Sequence, residues 1–205
     1  MTAESFWNSI VLYNQNTKNI QPVFLLLIIV SVIFSLSCKI KNFAKIALGA
    51  ANLFIAISFF GFYGTENIQK FFALPLYALC GILFIYEAFK NKDDRLTLSS
   101  SIQLILLFLY CLYPVISAML NHRFPKIVTY IMPCPIISLS IALYSCYSKK
   151  NKLLMLLLVL WGLTGIKALF FNVYEDLILL LCAIYGIFIL VKEFRAARKS
   201  KAEKV

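Results

Sequence analysis

Seven apolar runs separated by short polar punctuation organise this chain. A helix that crosses a bilayer needs about 20 mostly apolar residues, within a range of roughly 17–25. The runs are Pro22–Cys38, Ile46–Tyr63, Phe71–Phe89, Leu98–Leu120, Val128–Tyr147, Leu153–Phe171 and Leu177–Val191, the last extending toward Asp176 and Lys192. Lipid offers no partner for open backbone groups, and the runs lack the alternation of barrel strands, so each is expected to be a helix. The expected architecture is all-α. It is a polytopic membrane bundle of seven transmembrane helices, with residues 1–21 as an interfacial N-terminal segment, 22–191 as the bundle and 192–205 as a basic tail.

Composition supports lipid as the solvent. Hydrophobic residues make up 61% of the chain and charged residues 14%, against about 45–50% and 25% in soluble domains. A chain of this size cannot hide such an excess in one small core. A net charge of +11 taken alone suits a nucleic-acid partner, but the cations sit in short loops and the tail, where membrane insertion uses them. No nucleic-acid partner is expected. The expected company is the bilayer, with a small-molecule ligand or a membrane-protein partner.

Loop charge orients the bundle. Lys39, Lys41, Lys45, Lys90, Lys92, Arg95, Lys149, Lys150 and Lys152 fall in alternate connections, and Lys192, Arg195, Arg198, Lys199, Lys201 and Lys204 in the tail. These fifteen face only Lys18, Lys70, Arg123 and Lys126 on the opposite side. The bias puts the C-terminus in the cytoplasm and the N-terminus outside. The first twenty residues lack a basic leader, so the first span is expected to be an uncleaved anchor. Phe6, Trp7, Ile10, Val11 and Tyr13 recur at helical spacing before it. They predict a short amphipathic helix on the outer interface.

Six cysteines lie in or beside apolar runs, at Cys38, Cys80, Cys111, Cys134, Cys146 and Cys182. They form no Cys-x-x-Cys pair and read as small hydrophobes rather than a disulfide framework. Polar groups inside spans need reasons. Lys167 sits about 6 Å below the outer end of its helix. It either snorkels to the headgroups or pairs with Glu175 or Asp176. Glu87 reads as a local contact with Lys90. Asn52, after Gly49, Ala50 and Ala51, reads as an interhelical hydrogen bond between close helices. Trp161 reads as packing, with Gly162 and Gly165 admitting a neighbour, and its indole N–H needs an acceptor.

A third constellation reads Tyr113-Pro114, Asn121-His122-Arg123-Phe124-Pro125 and Pro133-Cys134-Pro135. The prolines free backbone carbonyls inside their helices. One Cys and one His fall short of a closed metal site, so neither metal nor cofactor is expected.

The run Tyr113-Pro114, His122, Pro125, Pro133-Cys134-Pro135, Trp161-Gly162 and Glu175-Asp176 resembles an uncharacterised family of bacterial integral membrane proteins, a domain of unknown function. Phe6-Trp7, Tyr13-Asn14 and Gln21 resemble its start. The family often has Gly where Asn121 stands, Thr where Ile136 stands, and Trp-Pro where Lys18-Asn19 stand. The resemblance implies a multi-span protein of the bacterial cytoplasmic membrane and brings no assigned activity.

By the expected topology Tyr13, Asn14, Tyr113, His122, Arg123, Cys134, Lys167, Glu175 and Asp176 share the outer third of the membrane. They predict a small polar pocket open to the exterior and roofed by the N-terminal helix. Three functions follow from it. The first is permease-like binding of a small solute. The second is an outer-leaflet enzyme with His122 as acid or base and Glu175 or Asp176 as partner. The third is an accessory subunit that docks through small-residue faces.

Overall fold

Apolar periodicity carries the chain into helix after helix, and the breaks fall where glycine, proline or paired polar residues interrupt it. The computed structural model describes residues 3–37, 40–64, 67 and 69–202. Cys38, Lys39 and Lys204 therefore lie outside the described residues. The helices are α1 (Ala3–Thr17), α2 (Gln21–Leu36), α3 (Phe43–Ile55), α4 (Leu74–Lys90), α5 (Ser101–Met119), α6 (Pro133–Ser145), α7 (Lys152–Gly162), α8 (Ala168–Phe171) and α9 (Leu177–Ala202). Wider π turns at Ala56–Phe62 and Gln69–Ala73 extend α3 and lead into α4, and a tighter 3-10 turn at Leu163–Lys167 joins α7 to α8. Among the described residues there is no strand, only one isolated bridge between Leu96 and Tyr147.

Five stretches are long and apolar enough to cross a membrane: Phe43–Phe62, Lys70–Lys90, Ser101–Met119, Lys152–Phe170 and Tyr174–Ala197. They correspond to five of the seven expected spans. The other two differ from expectation. The first run forms α2, which meets α1 at a bend of 81°. Counting that bent pair as one span gives six. The fifth run begins its helix only at Pro133 and is 13 residues long. Proline has no N–H to lose at a helix start and clashes inside one, so Pro133 and Pro135 open α6 instead of kinking it. Pro114 does lie inside α5.

Helix α6 is the axis of the fold. Every residue from Pro135 to Tyr147 is buried. It packs against α3, α5, α7 and α9. At 1.5 Å per residue it spans about 20 Å, less than the roughly 30 Å hydrocarbon core of a bilayer. Groups gathered at its two ends therefore sit closer together than two membrane faces do. The outer helices turn apolar side chains outward instead: Val23, Leu26 and Ile33 on α2, and Ile105 and Phe108 on α5, are exposed. Such surfaces suit contact with lipid chains.

Small residues let the helices close up as expected. A Cβ on Gly49 would come 3.0 Å from the Gly81 carbonyl oxygen, and one on Gly81 would come 2.9 Å from that of Gly49. Helices α3 and α4 meet there backbone to backbone. Asn52 donates to Ser140 Oγ of α6 at 3.3 Å, which is the interhelical bond its position predicted. Gly162 abuts Ala183 of α9. The five described cysteines are all free thiols, and Cys80, Cys146 and Cys182 are buried.

A polar cluster sits at the C-terminal end of α6, and the sequence did not point to it. Lys45 reads as a loop cation, yet it lies inside α3 and is wholly buried, with Nζ 3.0 Å from Asp94 Oδ2. Its ammonium also faces the Tyr147 ring at 4.1 Å. The Ser148 hydroxyl donates to Asp94 Oδ1 at 2.6 Å, and the Ser148 amide does so at 3.1 Å. Burial alone would push the Asp94 carboxyl up, but the Ser148 and Lys45 donors outweigh it and hold the group below the ordinary carboxylate range. Glu87 also departs from its local reading. It is buried and accepts from Asn91 Nδ2 at 2.6 Å and Asn151 Nδ2 at 3.1 Å. Lys90 lies over the Tyr86 ring instead.

Candidate functional site

The N-terminal end of α6 gathers the other polar cluster, and a cavity opens beside it. Helix α1 is amphipathic, and it spends its apolar face on the bundle. Trp7, Ile10 and Tyr13 are buried. Polar residues on that face pin it down. Tyr13 Oη donates to the Ile131 carbonyl at 2.6 Å. Asn14 Nδ2 donates to the carbonyls of Pro125 at 2.7 Å and Ile127 at 2.8 Å. Gln21 Nε2 donates to Asn14 Oδ1 at 3.0 Å, and Thr129 Oγ1 donates to Gln21 Oε1 at 2.7 Å. Tyr13 and Asn14 thus fasten α1 to the connection between α5 and α6.

That connection starts at Asn121, whose φ is +64°. Asparagine tolerates the left-handed region better than other side-chain-bearing residues. Asn121 therefore forms the tight turn without a glycine. The turn delivers His122 to Glu175, with Nδ1 at 3.0 Å from Oε1. The ring nitrogen and the carboxyl oxygen share one hydrogen bond. Ser117 Oγ stands 3.3 Å from the same nitrogen and accepts from the Val128 amide at 3.0 Å. The Trp7 ring lies 4.3 Å from the imidazole, and Lys126 sits over Trp7 at 5.1 Å. Glu175 is wholly buried, and its Oε2 has no partner.

The cavity itself holds about 160 Å³. Cavities of about 150 Å³ accommodate one benzene ring. Phe6 and Ile10 of α1, the turn Phe59–Phe60, Phe72 and the Pro133-Cys134-Pro135 start of α6 form much of its wall. Trp161, Thr164, Lys167 and Asp176 close it from the α7–α9 side. The lining is mainly apolar, with few polar atoms. Trp161 Nε1 and Asp176 Oδ1 lie buried behind that surface and make no hydrogen bond of good geometry. The Cys134 thiol is the weak hydrogen-bonding neighbour of both side chains. Gly165 makes this meeting possible. A Cβ there would come 2.7 Å from the Asp176 carbonyl oxygen and 2.9 Å from the Leu180 amide.

Of the nine residues expected to form a polar pocket, three line the cavity: Cys134, Lys167 and Asp176. Lys167 is exposed at the rim, and no ion pair joins it to Glu175 or Asp176 among the described residues. Glu175 instead takes His122, directly beside the cavity. Tyr13 and Asn14 fix the roof. Tyr113 is buried behind the site, its Oη 2.8 Å from Ser138 Oγ. Arg123 is exposed and contributes nothing to the lining. The expectation of a polar pocket is corrected to a mostly apolar one with a small polar floor. Aromatic residues supply the difference, because Phe59 and Phe60 follow Asn52 on the same helical stretch and read in sequence as ordinary span. The one signal available was Trp161, whose indole N–H needs an acceptor and faces the Cys134 thiol. Among the described residues no three His, Cys, Asp or Glu side chains converge as metal ligands.

The sequence model of a family of unknown function, DUF6064, matches residues 3–201, and the chain belongs to that family. This bears out the resemblance to a domain of unknown function. No curated protein and no solved structure matches the chain.

Proposed function

We propose that this member of DUF6064 is a multi-pass protein of a bacterial cytoplasmic membrane that binds a small solute in the cavity at the Pro133 end of α6, and that the cavity faces outward as a permease-like vestibule. One observation carries the reading. The cavity of about 160 Å³ has a mainly apolar wall into which the Trp161 and Asp176 residues are built, and an apolar pocket with few polar groups is the usual form of a small-molecule site. The apolar remainder of the wall favours a ligand with an apolar body. Lysine and arginine placement supports the orientation, since the basic stretch from Lys192 to Arg198 ends α9 and the cavity lies at the start of that helix.

The enzymatic reading has the His122–Glu175 hydrogen bond in its favour. Against it, neither residue lines the cavity, and His122 is packed on Trp7. Both act as a brace.

A chain retaining Cys134 as its only cysteine tests the proposal. A small membrane-impermeant methanethiosulfonate added outside intact cells is expected to label Cys134, and Lys167→Cys at the rim faster still. Labelling of both only from the cytoplasmic side, or of neither from either side, contradicts an outward-facing cavity.

A further inference from the structure

Resting on the cavity as a ligand site, we infer that the cavity opens sideways into the outer leaflet and takes the chain of a single-chain anionic amphiphile, whose acid group pairs with Lys167. Exposure locates the mouth. Among the lining residues Ile10, Val128 and Met132 are buried, so the cavity is closed toward α1 and the connection above α6. Phe72 and Lys167 are exposed. Phe72 leads into α4, and Thr164 and Lys167 continue α7. Both stretches, Lys70–Lys90 and Lys152–Phe170, are long and apolar enough to cross a membrane. A gap between two such helices meets lipid. The flanking side chains agree, since Phe71, Ile166 and Phe170 all turn outward and are exposed. Lys167 stands at the upper end of the gap, where water also reaches, and Thr164 stands lower.

Charge at that mouth is positive. Lys167 makes no ion pair among the described residues. Its ammonium lies within electrostatic reach of the Cys134 thiol in the lining, so it leans over the cavity. Asp176 is buried, and Lys167 is therefore the charge that an entering molecule meets. A cation is repelled there, and an alcohol gains no ion pair. An anion gains one, and lipid on one side reduces its screening. Size sets the apolar part. Trp161 lies six residues below Lys167 in the same helical stretch, about 10 Å along the axis. A volume of about 160 Å³ accepts one alkyl chain reaching that depth and excludes a pair of chains.

The protein for the test carries Trp7→Phe, leaving Trp161 as the sole tryptophan, in nanodiscs of zwitterionic lipid. Octyl probes with bromine at the chain end quench an indole that they touch. Four are titrated, with carboxylate, phosphate, hydroxyl and ammonium head groups, each against its own concentration in the bilayer. Quenching that the unbrominated analogue displaces counts as binding. The carboxylate and the phosphate are expected to bind about fivefold more tightly than the alcohol, the upper value for an exposed ion pair, with the ammonium weakest. Lys167→Gln is expected to erase the preference while the alcohol still binds, and Lys167→Glu to move it to the ammonium. Equal binding of the alcohol, or a preference for the ammonium, overturns the anion assignment and leaves the cavity standing as a site. No displaceable quenching by any of the four overturns the site reading as well. A nitroxide on Thr164→Cys, in a chain with no other cysteine, reports on the mouth. Its relaxation is expected to respond to oxygen in preference to a water-soluble nickel chelate. The reverse puts the mouth in water and overturns entry from lipid.

Discussion

Asp94→Ala will destabilise the folded bundle by about 3–5 kcal/mol, the usual cost of removing one partner from a buried ion pair. Lys45 Nζ and the Asp94 carboxylate are 3.0 Å apart with both side chains fully buried. Without Asp94 the ammonium is left facing the Tyr147 ring at 4.1 Å and the Tyr144 ring at 6.0 Å, and the Ser148 hydroxyl and amide lose their acceptor. Replacing both partners, Lys45→Met with Asp94→Leu, will recover most of the loss, because no charge is then left stranded. Reversible unfolding in detergent measures all three proteins. A cost under about 1 kcal/mol for Asp94→Ala is the behaviour of an exposed pair and contradicts the buried geometry. The same pair sets an acid limb. The Asp94 carboxyl is held below its ordinary value, so its contribution is complete above about pH 4, the unfolded range. It is lost only as pH falls further, through the folded value. Asp94→Asn flattens that limb.

His122→Ala will cost about 3 kcal/mol, because it removes the hydrogen-bond partner of a buried carboxyl group. Glu175 is wholly buried and has no second partner for Oε2. Ser117 and Trp7 also lose a neighbour, which loosens the roof formed by α1. The double change His122→Ala with Glu175→Gln will be milder than the single one, since the stranded group is then neutral. Unfolding measured under one set of conditions separates these. If His122→Ala leaves stability unchanged and abolishes a measured activity, the histidine is a catalytic group and the brace assignment fails.

These two residues also show what reading residues in order can and cannot reach. The enzymatic reading gives His122 either Glu175 or Asp176 as partner, because all three sit at ends of apolar runs that the charge pattern assigns to one side, and the structure selects Glu175. Asn52 and Gly49 were legible for a similar reason, as an amide and small residues inside a span have few uses but close packing. Lys45 was not legible. It stands at a span boundary among loop cations, and its burial depends on a loop carboxylate 49 positions away in the chain. Asp93-Asp94, among the few acids of the chain, was the available hint. The fifth span was drawn from Val128 because hydropathy alone ignores where proline permits a helix to begin. Its true start at Pro133 shortens α6 and creates room for the cavity. The cavity's apolar wall was hidden in plain sequence, because Phe59 and Phe60 look the same facing lipid or facing a void.

The orientation of the cavity rests on α9 alone, whatever the total number of crossings. That helix runs 26 residues from Leu177, beside Asp176, to the basic tail. Near its far end Glu193 approaches Lys150 at 3.7 Å, on the side of the Lys45–Asp94 cluster. A reporter that is active only in the cytosol, fused after Val205, tests this most directly. The account predicts an active reporter, with Asp176, Trp161 and Cys134 opening outward. A silent cytosolic reporter, together with an active one that works only outside, would turn the cavity toward the cytosol and contradict the proposed vestibule.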